Sequence, residues 1–330
     1  MIFPFAQVSS ISNYTLNHEV KTATPSLKTA AQIGVLQFKN EDPAFKNLED
    51  KIAMVVMSFG TTHQDTRAKN IDATVQDIQA ANPQIKIVTA FTSHIVIERI
   101  AKSEGIQCHT PEQVLEFLKS DGFTQIALVS LDIIPGIEYE YTKAVFHNYK
   151  NQFKAMTLST PLLYWQGQNN QADDVTDFIT AFLTPLKKSS EEAILLMAHG
   201  TPHPANAYYS VIQAKLEEMG FSNVFVYTVE GCPRLENVIP KLKMNKIKNV
   251  KLIPLMLVAG EHALNDMAGN DHDSHKNILI KAGFKVAADL RGLGENAAVR
   301  ALYVRRAMAA LFPLLKNKKI SEKIAPKNIA

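Results

Sequence analysis

Three side chains in the second half of this 330-residue chain could do chemistry together: His199 in MAHGTPH, Glu230 in TVEGCPR and His262 in VAGEH. Each follows a short, β-rich apolar run, and in an open parallel sheet ligands gather just beyond the carboxyl ends of the strands. Two imidazoles and a carboxylate meeting there suit a borderline divalent transition ion such as cobalt, iron, nickel or zinc. The imidazoles also titrate near neutral pH, so they offer proton acceptors. The competing reading is that each strand-end histidine is an ordinary hydrogen-bonded structural residue. His203, His272 and His275 fall in the same half, and GNDHDSHK (269–276) reads as a polar loop capping the following helix rather than as a metal-attracting rim.

Other chemistries find less support. The HGT element lacks the Arg that histidine phosphatase chemistry needs before its His, because Ala198 stands there. No GxGxxG or GxxxxGKS loop cradles a phosphate, and Ser58 and Ser130 end strands without a GxSxG elbow. Hydrophobic residues at 46% and charged residues at 20% are ordinary globular values. No apolar run approaches membrane length. Cys108 and Cys232 are the two cysteines, far apart and outside any CxxC pair, so neither a disulfide framework nor a zinc ribbon follows. The formal charge of +3 is local: residues 316–330 hold five Lys against one Glu, and the body without them is near neutral. Such a body lacks the broad basic footprint of a nucleic-acid binder. The N-terminus has no basic segment leading into an apolar run, which predicts a cytoplasmic protein, with export left open should the start site lie inside a leader.

The elements that must position these residues alternate along the chain. Strands are expected at 52–58, 85–91, 125–131, 193–197, 224–229 and 250–258, separated by small-residue turns and amphipathic stretches. Thr110, Pro111 and Gln113 spell a capping box for one of the helices. The two halves read as copies: MVVMSFGTT (54–62) parallels ILLMAHGTP (194–202), and 126–138 parallels 250–262. This sets Phe59 opposite His199, Thr92 near Glu230, and Glu138 opposite His262. The expected fold is therefore α/β, with two similar domains, each a parallel β-sheet flanked by helices, facing one another across a central cleft. Residues 1–50 read as an extension outside the main fold, 51–190 as the first domain, 191–315 as the second domain with the metal site, and 316–330 as a Lys-rich tail. The amphipathic stretch 295–315 is expected to form a long helix, free to cross back onto the first domain.

VMSFGTTHQDTRAKNI, AFTSHIVIERI, MAHGTPHPANAYY, LIPLMLVAGEHALNDMAGNDHDSHK and GLGENAAVRALYV, in this order, resemble the anaerobic sirohydrochlorin cobaltochelatases of the class II chelatase superfamily. The likeness runs from about Ala53 to Ala310. It implies two facing chelatase domains and insertion of a divalent ion, Co²⁺ foremost, with Fe²⁺ or Ni²⁺ as alternatives, into sirohydrochlorin or a related carboxylate-rich tetrapyrrole. The ion is a substrate and no organic cofactor is expected. Carried over residue by residue, the resemblance makes His199, Glu230 and His262 the metal-binding set, with His199 and Glu138 catalytic. Ser58, Phe59, Thr61, Thr92 and Met256 are the expected substrate contacts, and Arg67, Lys69, Arg99 and Arg291 the candidate partners for its carboxylates. The chain departs from the family at Asp132, at His275 and in the VEGCPR segment, which bears on substrate fit and metal preference more than on the reaction. A non-catalytic tetrapyrrole or metal carrier using the same cleft is the alternative function. His94 could ligate a further metal or haem, though a surface role suits it better, and a homo-oligomer is compatible with the sequence.

Overall fold

The structure is a computed structural model that describes residues 13–168, 171–183 and 192–315. The Lys-rich tail and the domain boundary expected at 190/191 lie outside the described residues. Among the described residues nine strands form two sheets. The first contains β1 (Leu36–Lys39), β2 (Ile52–Ser58), β3 (Lys86–Phe91), β4 (Gln125–Ser130) and β5 (Ala155–Leu158), in the order β1-β5-β4-β2-β3. The second contains β6 (Glu192–Ala198), β7 (Val224–Thr228), β8 (Asn249–Pro254) and β9 (Lys285–Ala288), in the order β7-β6-β8-β9. All pairings are parallel except that of β1 with β5.

Read from β3, the first sheet runs β3-β2-β4-β5, the same order as β7-β6-β8-β9. The register agrees as well: Met57 pairs with Ser130 in one copy, and Met197 pairs with Pro254 in the other. Beside them Ser58 pairs with Phe91 and Ala198 with Thr228, so Val229, one residue before Glu230, is the true counterpart of Thr92.

The stretch before Lys51 departs from expectation. Residues 36–39 add an antiparallel edge strand to β5, so this part of the extension belongs to the first sheet. Its LQFK pattern is too short to show periodicity, and the pairing is set by the otherwise open edge of β5. The strand expected at 250–258 stops at Pro254, beyond which the chain leaves the ladder at Leu255, whose N–H still reaches Met197 O.

Alternation along the central strands sorts the core. Ala53, Val55 and Met57 face one hydrophobic cluster, confined to the first sheet. Ala193, Leu195 and Met197 face another, confined to the second. Ile52, Met54 and Val56 share a third cluster with Leu196 and Ala198, so one core spans both halves. The closing helix Ala297–Leu315 completes it, although it follows the second sheet in sequence. It packs on β4 and β5 of the first sheet. Tyr303 donates its hydroxyl hydrogen to Leu131 O at 3.0 Å, and the Thr157 hydroxyl donates to Ala310 O at 2.7 Å.

Arg306 on this helix is 4% exposed and pairs with buried Asp174 at 2.5 Å, while its Nη2 also donates to Leu162 O. Arg306→Ala would leave the Asp174 carboxylate buried without a counter-charge, and we expect it to destabilise the fold by about 3–5 kcal/mol in urea unfolding.

Candidate functional site

The loops beyond the strand ends of the two sheets meet, as His63 of the first half lies 3.4 Å from Glu261 of the second. His199 follows β6 directly, and its Nδ1 lies 3.0 Å from Gly200 O. A carbonyl only accepts, so Nδ1 carries the hydrogen and Nε2 presents its lone pair. His262 opens a π-helical turn, His262–Met267, beyond β8. Its Nδ1 lies 2.5 Å from Asp266 Oδ2, which fixes the same tautomer and also leaves Nε2 free. The two rings meet edge to face with centroids 4.7 Å apart. A carboxylate or carbonyl behind a ligating histidine orients the ring and raises its basicity.

Glu230 does not join them in a preformed triad. Among the described residues no three His, Cys, Asp or Glu side chains gather closely enough to hold an ion. Its backbone N–H donates to His199 O at 2.8 Å, which ties the β7 end to the β6 end, while its side chain is exposed. β6 lies between β7 and β8, so Glu230 and the segment leading to His262 approach His199 from opposite sides.

Glu138 sits in the first turn of the helix Ile137–Tyr149, which follows β4. It is close enough to Tyr209 for its charge to help raise that hydroxyl, which burial pushes up to about 12 and which accepts from the Gly200 N–H. Tyr209 thus links Glu138 to the loop that carries His199. Asp132, on the same loop after β4, was not singled out for chemistry by its sequence. Ser130 Oγ donates to its Oδ2 at 2.7 Å and accepts from its backbone N–H at 3.0 Å. Burial pushes the Asp132 carboxyl up to about 7, with the Ser130 hydrogen bond acting against the rise and the Glu138 charge adding to it.

The remaining sequence candidates divide by burial. Phe59 is 51% exposed at the end of β2, and Ile137 and Leu264 are exposed on the segments beyond β4 and β8. Met256 and Thr92 are half-buried, with Thr92 Oγ1 donating to Ser58 O. Ser58 and Thr61 are buried, and their hydroxyls accept from the N–H groups of Gly60 and His63, shaping the turn. Arg67 is buried and bound to Glu104 and Thr61 O, so it is committed to the fold. Arg291 is bound to Asp289, while Lys69 and Arg99 are exposed. His94 is exposed, its ring 6.5 Å from that of Tyr141. His275 lies 3.1 Å from the Tyr227 hydroxyl, and its burial lowers its pKa. A cavity of about 690 Å³ lined by Glu140, Lys143, Trp165 and His203 lies to one side, and none of His199, Glu138 or His262 lines it.

Two histidines close the cleft across the halves. His63 Nε2 is 3.4 Å from Glu261, and His203 Nε2 is 3.9 Å from Glu140. The two belong to equivalent turns, after β2 and after β6. Gly200 makes the tightest approach in the loop: its φ is +90°, and a Cβ there would lie 1.4 Å from Glu230 O. Gly220 has a φ of +78° but open space around it. Gly200→Ala should therefore cost at least about 3 kcal/mol in chemical unfolding, against about 1–2 kcal/mol for Gly220→Ala. Equal losses would show that the Glu230 backbone yields freely.

A family model described as cobalt chelatase (CbiK) matches residues 52–311. The sirohydrochlorin cobaltochelatase of Salmonella typhimurium is 36% identical over 261 residues, 79% of this chain and 97% of that protein. The sirohydrochlorin cobaltochelatase CbiKC of Nitratidesulfovibrio vulgaris is 32% identical over 64% of this chain and 74% of its own length. Among solved structures, SirB from Bacillus subtilis with Fe³⁺ shares the fold at a TM-score of 0.54 and 16% identity, covering 83% of this chain and 98% of SirB. A Deinococcus radiodurans protein, DR2241, described as structurally similar to chelatases, aligns at a TM-score of 0.51 and 13% identity over 79% of this chain and 56% of its own. With a facing pair of parallel-sheet domains and a match that spans most of its length, the chain belongs to the cobalt chelatase (CbiK) family.

Proposed function

We propose that this chain is a sirohydrochlorin cobaltochelatase, which inserts Co²⁺ as a substrate into sirohydrochlorin with release of two protons, in cobalamin biosynthesis. The observation that carries the reading is the cleft pair His199 and His262, each with Nδ1 engaged as a donor and Nε2 free. The names of the two relatives supply the reaction, and the family match makes it the natural assignment for this cleft.

An entering ion must shed its water while the ring loses its N–H protons. Two imidazoles hold the ion with few enough ligands for it to exchange onto ring nitrogens. Glu230, exposed one strand away, adds negative charge for the dication and becomes a ligand when the cleft is filled. Exposed Phe59, Ile137 and Leu264 offer apolar surface to the faces of the macrocycle. Glu138, on the first-domain wall, accepts a pyrrole proton. The acidic side chains of the tetrapyrrole find free cations in Lys69 and Arg99. Fe²⁺ and Ni²⁺ satisfy the same donors, so the choice of ion rests with supply and with the bound ring. Among the described residues no helix is long and apolar enough to cross a membrane, and the compartment we assign is the cytoplasm.

Visible spectra of sirohydrochlorin with Co²⁺ and catalytic protein test the assignment. Product beyond one equivalent per chain is expected; a single equivalent would mark a carrier. His199→Ala and His262→Ala should each lower turnover by at least about 100-fold with the fold intact by circular dichroism. Wild-type rates in the folded double variant would overturn the site.

A further inference from the structure

Strand pairing does not set the position of His262. Leu255 still donates to Met197 O, and the Met256 and Leu257 carbonyls accept from Leu293 and Gly294, but from Gly260 onward the Ala263 and Leu264 N–H groups bond within their own turn, to Gly260 O. Ala259, Ala263 and Met267 anchor that turn in the core of its own half. A polar contact with the other half comes from His63. Glu261, immediately before His262, accepts from Asn265 Nδ2 at 2.6 Å through Oε2, and its Oε1 lies 3.4 Å from His63 Nε2. That nitrogen is shielded from solvent and makes no hydrogen bond among the described residues. The arrangement recurs with the halves exchanged. His203 Nε2 lies 3.9 Å from Oε1 of Glu140, which Lys143 also holds at 2.8 Å and which stands two residues beyond Glu138 on the helix Ile137–Tyr149. His203 Nδ1 accepts from the Ala205 N–H at 3.1 Å, so in the neutral ring Nε2 carries the hydrogen and faces Glu140. In both turns a buried threonine, Thr61 or Thr201, accepts the N–H of the histidine two residues on, at 3.3 and 3.2 Å. Partly exposed pairs of this kind add little to stability, and a shared core already joins the halves, so what the two contacts govern is position.

We propose that His63 and His203 are positioning residues for metal insertion, each reaching across the cleft to a glutamate on a segment that carries a functional side chain of the other half. His63 reaches the turn of His262, and His203 reaches the helix of Glu138. This inference rests on the chelatase reading above. At 3.4 and 3.9 Å both contacts lie beyond the N–H···O range, and a closing movement of less than about 1 Å makes each a hydrogen bond. The buried His63 Nε2 then gains the partner it lacks, which favours the closed arrangement. Closure on a ring held in the cleft fixes the ion on His199 and His262 against the base on Glu138, and a misplacement of about 1 Å between reacting groups can cost about 100-fold in rate. Neither His63 nor His203 bonds to the ion or to the ring.

The test follows Co²⁺ insertion into sirohydrochlorin by visible spectra, and Co²⁺ binding by calorimetry without the tetrapyrrole, in His63→Asn, His203→Asn, their double variant and His63→Gln. Asn keeps an acceptor at the place of Nδ1, so His203→Asn retains the contact with Ala205 while falling short of Glu140; Gln puts a donor at the place of Nε2. The Asn double variant should keep Co²⁺ affinity within about twofold and lose at least about 10-fold in kcat, and each single Asn variant at least about threefold. His63→Gln should return to within about twofold of wild type. A kcat within about twofold of wild type in the folded double variant overturns the proposal, as does His63→Gln no faster than His63→Asn. Should the double variant fail to fold, the single variants decide by the same comparison. A loss of Co²⁺ affinity equal to the loss of rate would mark a general structural role and also overturns it. Absence of insertion by wild type would overturn the chelatase reading itself, a different result from an active wild type indifferent to both histidines.

Discussion

The geometry of the cleft depends on the closing helix Ala297–Leu315 lying on the sheet that it does not follow in sequence. Two α/β units joined by a single linker would be free to move, as interdomain motion is the usual state for such pairs. Here one apolar cluster contains side chains of β2, β6 and the closing helix together. The helix also satisfies polar groups of the first sheet, through Tyr303 to Leu131 O, Thr157 to Ala310 O and the buried Arg306–Asp174 pair. The first of these contacts falls on Leu131, the residue before Asp132.

Within that frame the chemistry is divided between the copies. The second half contributes imidazoles whose Nδ1 atoms are engaged with Gly200 O and Asp266, leaving their Nε2 atoms open. The first half contributes carboxyls, one of them held near neutrality by burial. Duplication lets equivalent strands carry different residues beyond their ends, Phe59 after β2 against His199 after β6, and Glu138 beyond β4 against His262 beyond β8.

Much of this was legible in the sequence because it rests on local signals. The continuous apolar run Ile52–Ser58, the Thr110–Gln113 capping box and the repeated strand-turn each need only neighbouring residues, and each appears as read. β1 escaped notice because four residues at a sheet edge carry no period of their own. The expected three-ligand cluster is instead a pair with Glu230 outside it, since strand order and the Gly200 crossing, not spacing along the chain, set side-chain distance. Arg67 looked like a free cation, yet Glu104, 37 residues away, claims it. Asp132 was invisible as an acid of altered strength, because its environment is made by helices far apart in sequence.

The central claim, that His199 and His262 deliver the ion through Nε2, is tested most directly by X-ray absorption of the Co²⁺-loaded wild-type protein before the tetrapyrrole is added. Imidazole scattering from two histidine ligands is predicted, falling to one in His199→Ala and in His262→Ala. A cobalt environment of oxygen ligands alone, unchanged in both variants, would contradict it.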